Sequence, residues 1–337
     1  MFKSNKNPQF RTKFSEDIFY TKYAHENAET MYELAATLVE DVCEDRLTPP
    51  EKTELTNHIA ELRFLPGGRY LYDAGRDKKF FNNCYLLDCE EDTREDWANL
   101  SWKAESCLMT GGGIGADYSV YRPEGKSLGG TGGISSGPLP KMQMINEIGR
   151  RVMQGGSRRS AIYASLNWKH EDIDKFLLSK NWKDMPIGNT GQSLFDVKQD
   201  DFNFPAPLDM TNVSVNYDTE WLLNYWETGD VGSTFKQNVR QALSTAEPGF
   251  SFNFFNQENE TLRNACTEVT ANNHNARDGG DDSDVCNLGS LNFARIDGIN
   301  QLKDIVGLAT KFLICGTLRA QLPYDKVYKV REKNRRL

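Results

Sequence analysis

The run Asn264-Ala265-Cys266-Thr267-Glu268 sets an amide, a thiol and a carboxylate two residues apart. In an extended segment, residues i, i+2 and i+4 point to the same side. Asn264, Cys266 and Glu268 are then expected to project together into one space. On a helix, neighbours two apart diverge and the grouping loses its meaning. An amide orients, a thiol reacts and a carboxylate moves protons, which together make a catalytic set. Five residues are a weak pattern, because a cysteine on a polar loop is more often incidental.

Two more cysteines sit in strand-like surroundings. Cys84 closes Phe81-Asn82-Asn83-Cys84, and Cys286 lies in Asp284-Val285-Cys286-Asn287-Leu288-Gly289-Ser290. Taken singly, each reads as a small buried hydrophobe. The glycine runs give no nucleotide fingerprint. Gly125-Lys126-Ser127 ends like a P-loop, but Val120 occupies the required upstream glycine position. Gly111–Gly115 lacks the dinucleotide pattern because Tyr118 stands where the third glycine belongs. On residue types alone these glycines read as turns.

Helices and strands must position these groups, and composition allows them. The 337 residues suffice for one large core or two modest domains. An apolar fraction of 38%, with 18 Phe and 13 Tyr, can bury a substantial interior. No window reaches the length of apolar residues needed for a membrane span, and the first residues lack the apolar stretch of an export signal. A cytoplasmic protein that does not associate with membranes is expected. The net charge of −8 argues against general nucleic-acid binding, which needs a basic surface. Seven cysteines, widely spaced and odd in number, imply thiols in a reducing compartment. With no Cys-x-x-Cys and only four histidines, no metal site is expected.

Helical periodicity over 25–45 precedes Thr48-Pro49-Pro50-Glu51, which opens a second helix with a capping box. The break at Pro66-Gly67-Gly68 closes an N-terminal helical section, assigned to 1–75. Beyond it, strands are expected at 84–87, 160–166, 213–217, 250–255 and 286–296. Helices are expected at 94–109, 141–154, 171–179, 219–227, 233–245 and 300–320. This alternation favours an α/β fold with crossover connections. Residues 131–140 are expected to be irregular, and the polar stretch Asn272–Asp284 to be a solvent-exposed insertion.

Taken in order, the segments FLPGGR (64–69), NNCY (82–85), MTGGGIGA (109–116), SSGPLP (135–140), GGSRRSA (155–161), EPG (247–249), NACTE (264–268), CNLGSLN (286–292) and KNRRL (333–337) resemble the ribonucleotide reductase catalytic subunit. They are most similar to the class II, adenosylcobalamin-dependent enzymes. The resemblance implies a ten-stranded α/β barrel of the ribonucleotide reductase/glycyl-radical type. Residues 76–337 would hold its first half, a finger loop near 257–285 and the start of the second half.

On that resemblance Cys266 carries a thiyl radical at the finger tip, Glu268 is the general base and Asn264 holds the substrate hydroxyls. Cys84 and Cys286 reduce the substrate and finish as a disulfide. Asn83, Gly112, Gly113 and Leu288 line the ribonucleotide. Glu91 or Asp92 meets the ribose of a dNTP or ATP effector. Gln154, Gly155, Gly156, Ser157, Arg158 and Arg159 form the loop that relays effector identity. Adenosylcobalamin, a thioredoxin-like reductant, a homodimer partner and a separate C-terminal reductase polypeptide are implied. The alternatives are a class I catalytic fragment, with the radical supplied by a metal-containing small subunit, and a non-catalytic nucleotide-binding or regulatory remnant.

Overall fold

The computed structural model describes residues 9–130, 132–152 and 160–334. The chain divides into two compact units.

One unit comprises residues 9–83, 110–112 and 285–334. Its helices begin where the capping residues dictate. Glu33 Oε2 accepts from the Thr30 N–H at 2.8 Å at the start of Met31–Cys43. Glu51 Oε2 accepts from the Thr48 N–H at 2.9 Å before Pro49–Ala60. With the 21-residue helix Ile299–Arg319 they enclose a core of Leu34, Leu38, Val42, Ile59 and Phe312. The expected break after Phe64 is more ordered than a turn. Phe64–Pro66 pairs antiparallel with Gly289–Leu291, and Gly68–Asp73 is a short helix. The strand expected over 286–296 is correspondingly divided. It comprises Asp284–Cys286, Gly289–Leu291 and a 3-10 turn at Phe293–Arg295.

The other unit, residues 84–109 and 113–284, is α/β. Its strands β1 (Cys84–Asp88), β2 (Gly113–Asp117), β3 (Ile162–Asn167), β4 (Thr211–Tyr217) and β5 (Gly249–Phe252) stand side by side in chain order, all parallel. Helices Arg94–Met109 and Pro138–Arg151 make the first two crossovers. The second helix corrects the irregular reading of 131–140 only at its end, since 138–140 are helical while 132–137 lie in no helix or named strand. Pro138 and Pro140 fall in its first turn, where a missing N–H costs nothing. Gly113–Asp117 is a buried strand, not a turn.

The register gives the sheet two different faces. Tyr85, Leu87, Ile114, Ala116, Ile162, Ala164, Leu166, Val213 and Val215 form an apolar buried face. The opposite face reads Cys84-Leu86-Asp88, Gly113-Gly115-Asp117, Tyr163-Ser165-Asn167 and Asn212-Ser214-Asn216. On it lies a short hairpin, β6 (Leu262–Arg263) and β7 (Thr270–Ala271), paired antiparallel.

Residues 272–284 are not a solvent-exposed insertion. Asn273, Asp281, Asp282, Ser283 and Asp284 are all buried. Asp282 Oδ2 meets Lys103 Nζ at 2.7 Å, with both side chains 4% exposed. Its other oxygen accepts from the Asp88 N–H at 2.7 Å. Asp282 is therefore an internal fastening for the carboxyl end of β1. Removing one partner of such a buried pair costs about 3–5 kcal/mol.

Candidate active site

The Asn264–Glu268 run is a turn between β6 and β7, and this corrects the extended reading of the pentapeptide. The Thr267 N–H donates to the Asn264 carbonyl at 3.0 Å, and Thr267 has φ +72°. That conformation is unusual for a β-branched residue. The three groups come together by folding back rather than by alternation. Asn264, fully buried, donates from Nδ2 to Glu268 Oε1 at 2.7 Å. Its Oδ1 accepts from the Val269 N–H at 3.1 Å. Cys266 is exposed at the tip of the turn.

The sheet beneath has been cut to receive this hairpin. A Cβ on Gly115 would stand 1.8 Å from the Arg263 carbonyl oxygen. A Cβ on Gly113 would stand 2.9 Å from Ala265 Cβ and 3.3 Å from Cys84 Sγ. Glycine is needed at both for close approach, not for turning. Asn212 Nδ2 donates to the Ala265 carbonyl at 3.1 Å. Arg263 reaches Ser251 Oγ at 2.8 Å and Asn253 Oδ1 at 3.1 Å. The tip thus lies at the amino-terminal ends of β1 and β2, where Cys84 is buried. Arg263, Asn212 and Gly115 hold the turn in place, and the sequence motifs point to none of these roles. The polar alternation Asn212-Ser214-Asn216 was their available signal.

Asn83, Gly112, Cys286 and Leu288 belong to the other unit. There the Asn83 N–H donates to the Cys286 carbonyl at 3.1 Å and the Gly67 N–H to the Leu288 carbonyl at 2.7 Å. Asn83 is buried, and its Nδ2 meets no acceptor among the described residues. Neighbouring Asn287 is fully engaged, through Tyr70 Oη at 2.5 Å, and Thr317 Oγ1 and the Leu313 carbonyl at 2.8 Å each. Glu91 is exposed, and Asp92 pairs with Arg122 at 2.5 Å. Gln154, Gly155, Gly156, Ser157, Arg158 and Arg159 lie outside the described residues.

At the carboxyl end of β1, Asp88 Oδ2 accepts from the His274 N–H at 2.6 Å and approaches its Nδ1 at 3.1 Å. This carboxylate raises the His274 pKa above its ordinary value, while burial raises that of Asp88. A raised imidazole pKa stabilises the fold fully below about pH 6.5 and loses that contribution as pH climbs through the folded value. The wild-type melting temperature should therefore exceed that of His274→Asn by roughly 2 °C more at pH 6 than at pH 8.5. An equal gap at both pH values would show that the pair carries no charge.

Residues 82–195 match the family described as "Ribonucleotide reductase, barrel domain". A vitamin B12-dependent ribonucleoside-diphosphate reductase of Thermoplasma acidophilum is 28% identical over 296 residues, covering 83% of this chain and 36% of that protein. A protein of the same description from Mycobacterium tuberculosis is 27% identical over 270 residues, 76% of this chain and 37% of the relative. The solved alpha subunit of the Actinobacillus ureae class Id ribonucleotide reductase superposes with a TM-score of 0.67 at 17% identity. That match covers 97% of this chain and 55% of the other.

Over residues 82–195 the chain is similar to the barrel domain of ribonucleotide reductase large subunits, and the relatives it matches carry the names of enzymes. It spans little more than a third of the length of these curated relatives. Among the described residues no helix is long and apolar enough to cross a membrane.

Proposed function

We propose that this chain supplies the radical-bearing part of a ribonucleotide reductase, converting ribonucleotides to 2′-deoxyribonucleotides. The observation that carries the reading is the seating of the Cys266 turn over the amino-terminal ends of β1 and β2. Glycine at 113 and 115 makes room for it, and Cys84 lies beside Gly113. In this reading the Cys266 sulfur, as a thiyl radical, takes the 3′ hydrogen of the ribose. Glu268, oriented by Asn264 Nδ2, removes the 3′ hydroxyl proton. Cys84 and Cys286 supply two electrons and their protons as the 2′ hydroxyl leaves as water, and they end as a disulfide. Cys266 then returns its hydrogen to C3′, Glu268 returns the proton to the 3′ oxygen, and a thioredoxin-like dithiol resets the pair.

The buried Asn83 amide supplies an unused donor for the substrate, and the resemblance gives the backbone at Gly112, Gly113 and Leu288 a substrate-binding role as well. Asp92, held by Arg122, and the 154–159 segment would serve a dNTP or ATP effector. Adenosylcobalamin is the proposed radical source: when bound, it supplies the carbon radical that oxidises a thiol. The exposure of Cys266 fits that role, because the acceptor thiol has to be reachable.

Two surfaces support further partners. The edge strand β5 exposes Phe250 and Phe252, which favours pairing with more barrel supplied by a C-terminal polypeptide. An apolar cleft lined by Met109, Pro140, Met144, Ile148 and Val152 favours a second copy of the chain.

The test combines the chain with a ribonucleotide, adenosylcobalamin and a dithiol, with and without a polypeptide encoding the rest of the barrel. Deoxyribonucleotide is expected only when both polypeptides are present. Sustained reduction by the chain alone would remove the need for a second polypeptide. Product formed only with a metal-containing small subunit would transfer the reading to class I. No product under any condition would refute the reductase assignment.

A further inference from the structure

The polar sheet face ends in a cavity that the proposed chemistry does not use. Each parallel strand carries Asp or Asn within one residue of its carboxyl end: Asp88, Asp117, Asn167, Asn216 and Asn253. All five line a cavity of about 240 Å³, joined by His274. Asp88 and Asp117 are direct partners in the parallel register of β1 and β2. Their carboxyl groups therefore leave the same face on strands about 4.8 Å apart. Both residues are buried.

The acceptors here are only half satisfied. Asp88 Oδ2 accepts from His274, and Oδ1 meets no donor among the described residues. Asp117 Oδ1 accepts from the N–H and the hydroxyl of Ser119, and Thr261 adds a second hydroxyl. Among the described residues no cationic side chain forms an ion pair with Asp117. Asn216, 2% exposed, donates from Nδ2 to Ser165 Oγ at 3.0 Å, and its Oδ1 meets no donor among the described residues. Asp218 on the cavity wall is already paired with Lys169 at 3.1 Å, and Glu258 adds negative charge to the lining. A buried carboxylate without a compensating cation is costly, so the cavity calls for a positive ligand that donates hydrogen bonds.

We propose that this cavity binds a small primary alkylamine, its ammonium group seated between Asp88 and Asp117 and donating to Asn216 Oδ1. An ammonium carries three donors and no acceptor, so it can serve the open Asp88 Oδ1 and Asn216 Oδ1 and add one further bond to the Asp117 carboxylate beside those of Ser119 and Thr261. A bare metal ion suits the site less well. Among the described residues no three carboxylate, imidazole or thiol groups converge to hold one. The amine stands apart from the reductase reading, since no residue given a catalytic role there lines the cavity.

The test is calorimetric titration of the full chain with 1,4-diaminobutane and with methylammonium at about 0.15 M salt, where surface attraction is screened. Saturable binding of both amines is expected. It should weaken about tenfold or more in Asp117→Asn, the loss of one charge-assisted hydrogen bond. Asn216→Ser, which leaves the carboxylates in place, should weaken it severalfold and serves if Asp117→Asn fails to fold. Tetramethylammonium, with the same charge and no donors, should not bind. Absence of saturable binding, equal affinity in either folded variant, or equal binding of tetramethylammonium would overturn the proposal. Displacement of the amine by magnesium at similar concentration would overturn it too, in favour of a hydrated metal ion.

Discussion

Cys266→Ser should abolish deoxyribonucleotide formation, lowering the rate by roughly 10⁴-fold or more, as loss of an essential covalent-catalysis residue does. An oxygen–hydrogen bond is much stronger than a sulfur–hydrogen bond, so serine cannot take over a hydrogen-atom carrier's role. The same change should leave the fold almost untouched. Cys266 is exposed at a turn, and exposed substitutions usually shift stability by no more than about 0.5 kcal/mol. The measurement pairs product analysis in the reconstituted assay with a melting curve. Residual turnover above about one per cent of wild type would take Cys266 out of the radical role.

Gly115→Ala should be nearly as damaging, although Gly115 is given no contact with substrate. The new methyl would stand 1.8 Å from the Arg263 carbonyl oxygen, and neither strand can yield without breaking its ladder. The β6–β7 hairpin must lift from the sheet, giving up the hydrogen bonds of Asn212 and Arg263. A cost of about 3 kcal/mol is expected, seen as a melting temperature lower by at least about 5 °C. Hydrogen exchange should also quicken across Leu262–Ala271. A chain with wild-type melting and a protected hairpin would show that the close approach is not what requires glycine.

The sequence announced its elements more clearly than their arrangement. The long amphipathic helices and the strand at Cys84 were legible because burial of one face imposes a period on residue types. Gly113–Asp117 was not, since two glycines in five residues erase the β signal. Their reason lies in a hairpin arriving from some 150 residues later in the chain. The conformation of the Asn264–Glu268 turn is not legible in the sequence for a related reason. Alternation describes a strand, whereas Thr267 at positive φ makes a turn that no pattern of polar and apolar residues encodes. The buried carboxylates of 272–284 read as solvent-facing because composition alone cannot reveal that Lys103 waits for Asp282.

The fastening of Asp282 to Lys103 and to the Asp88 backbone separates two jobs within one loop. Residues 270–273 and 281–284 are anchored, while Arg277, Asp278 and Gly279 between them stand exposed. Length can be gained or lost at those three positions without passing a change of register back to the turn that carries Cys266. The loop acts as slack between two knots, so the chain can drift there while the distance that matters to the thiol stays fixed.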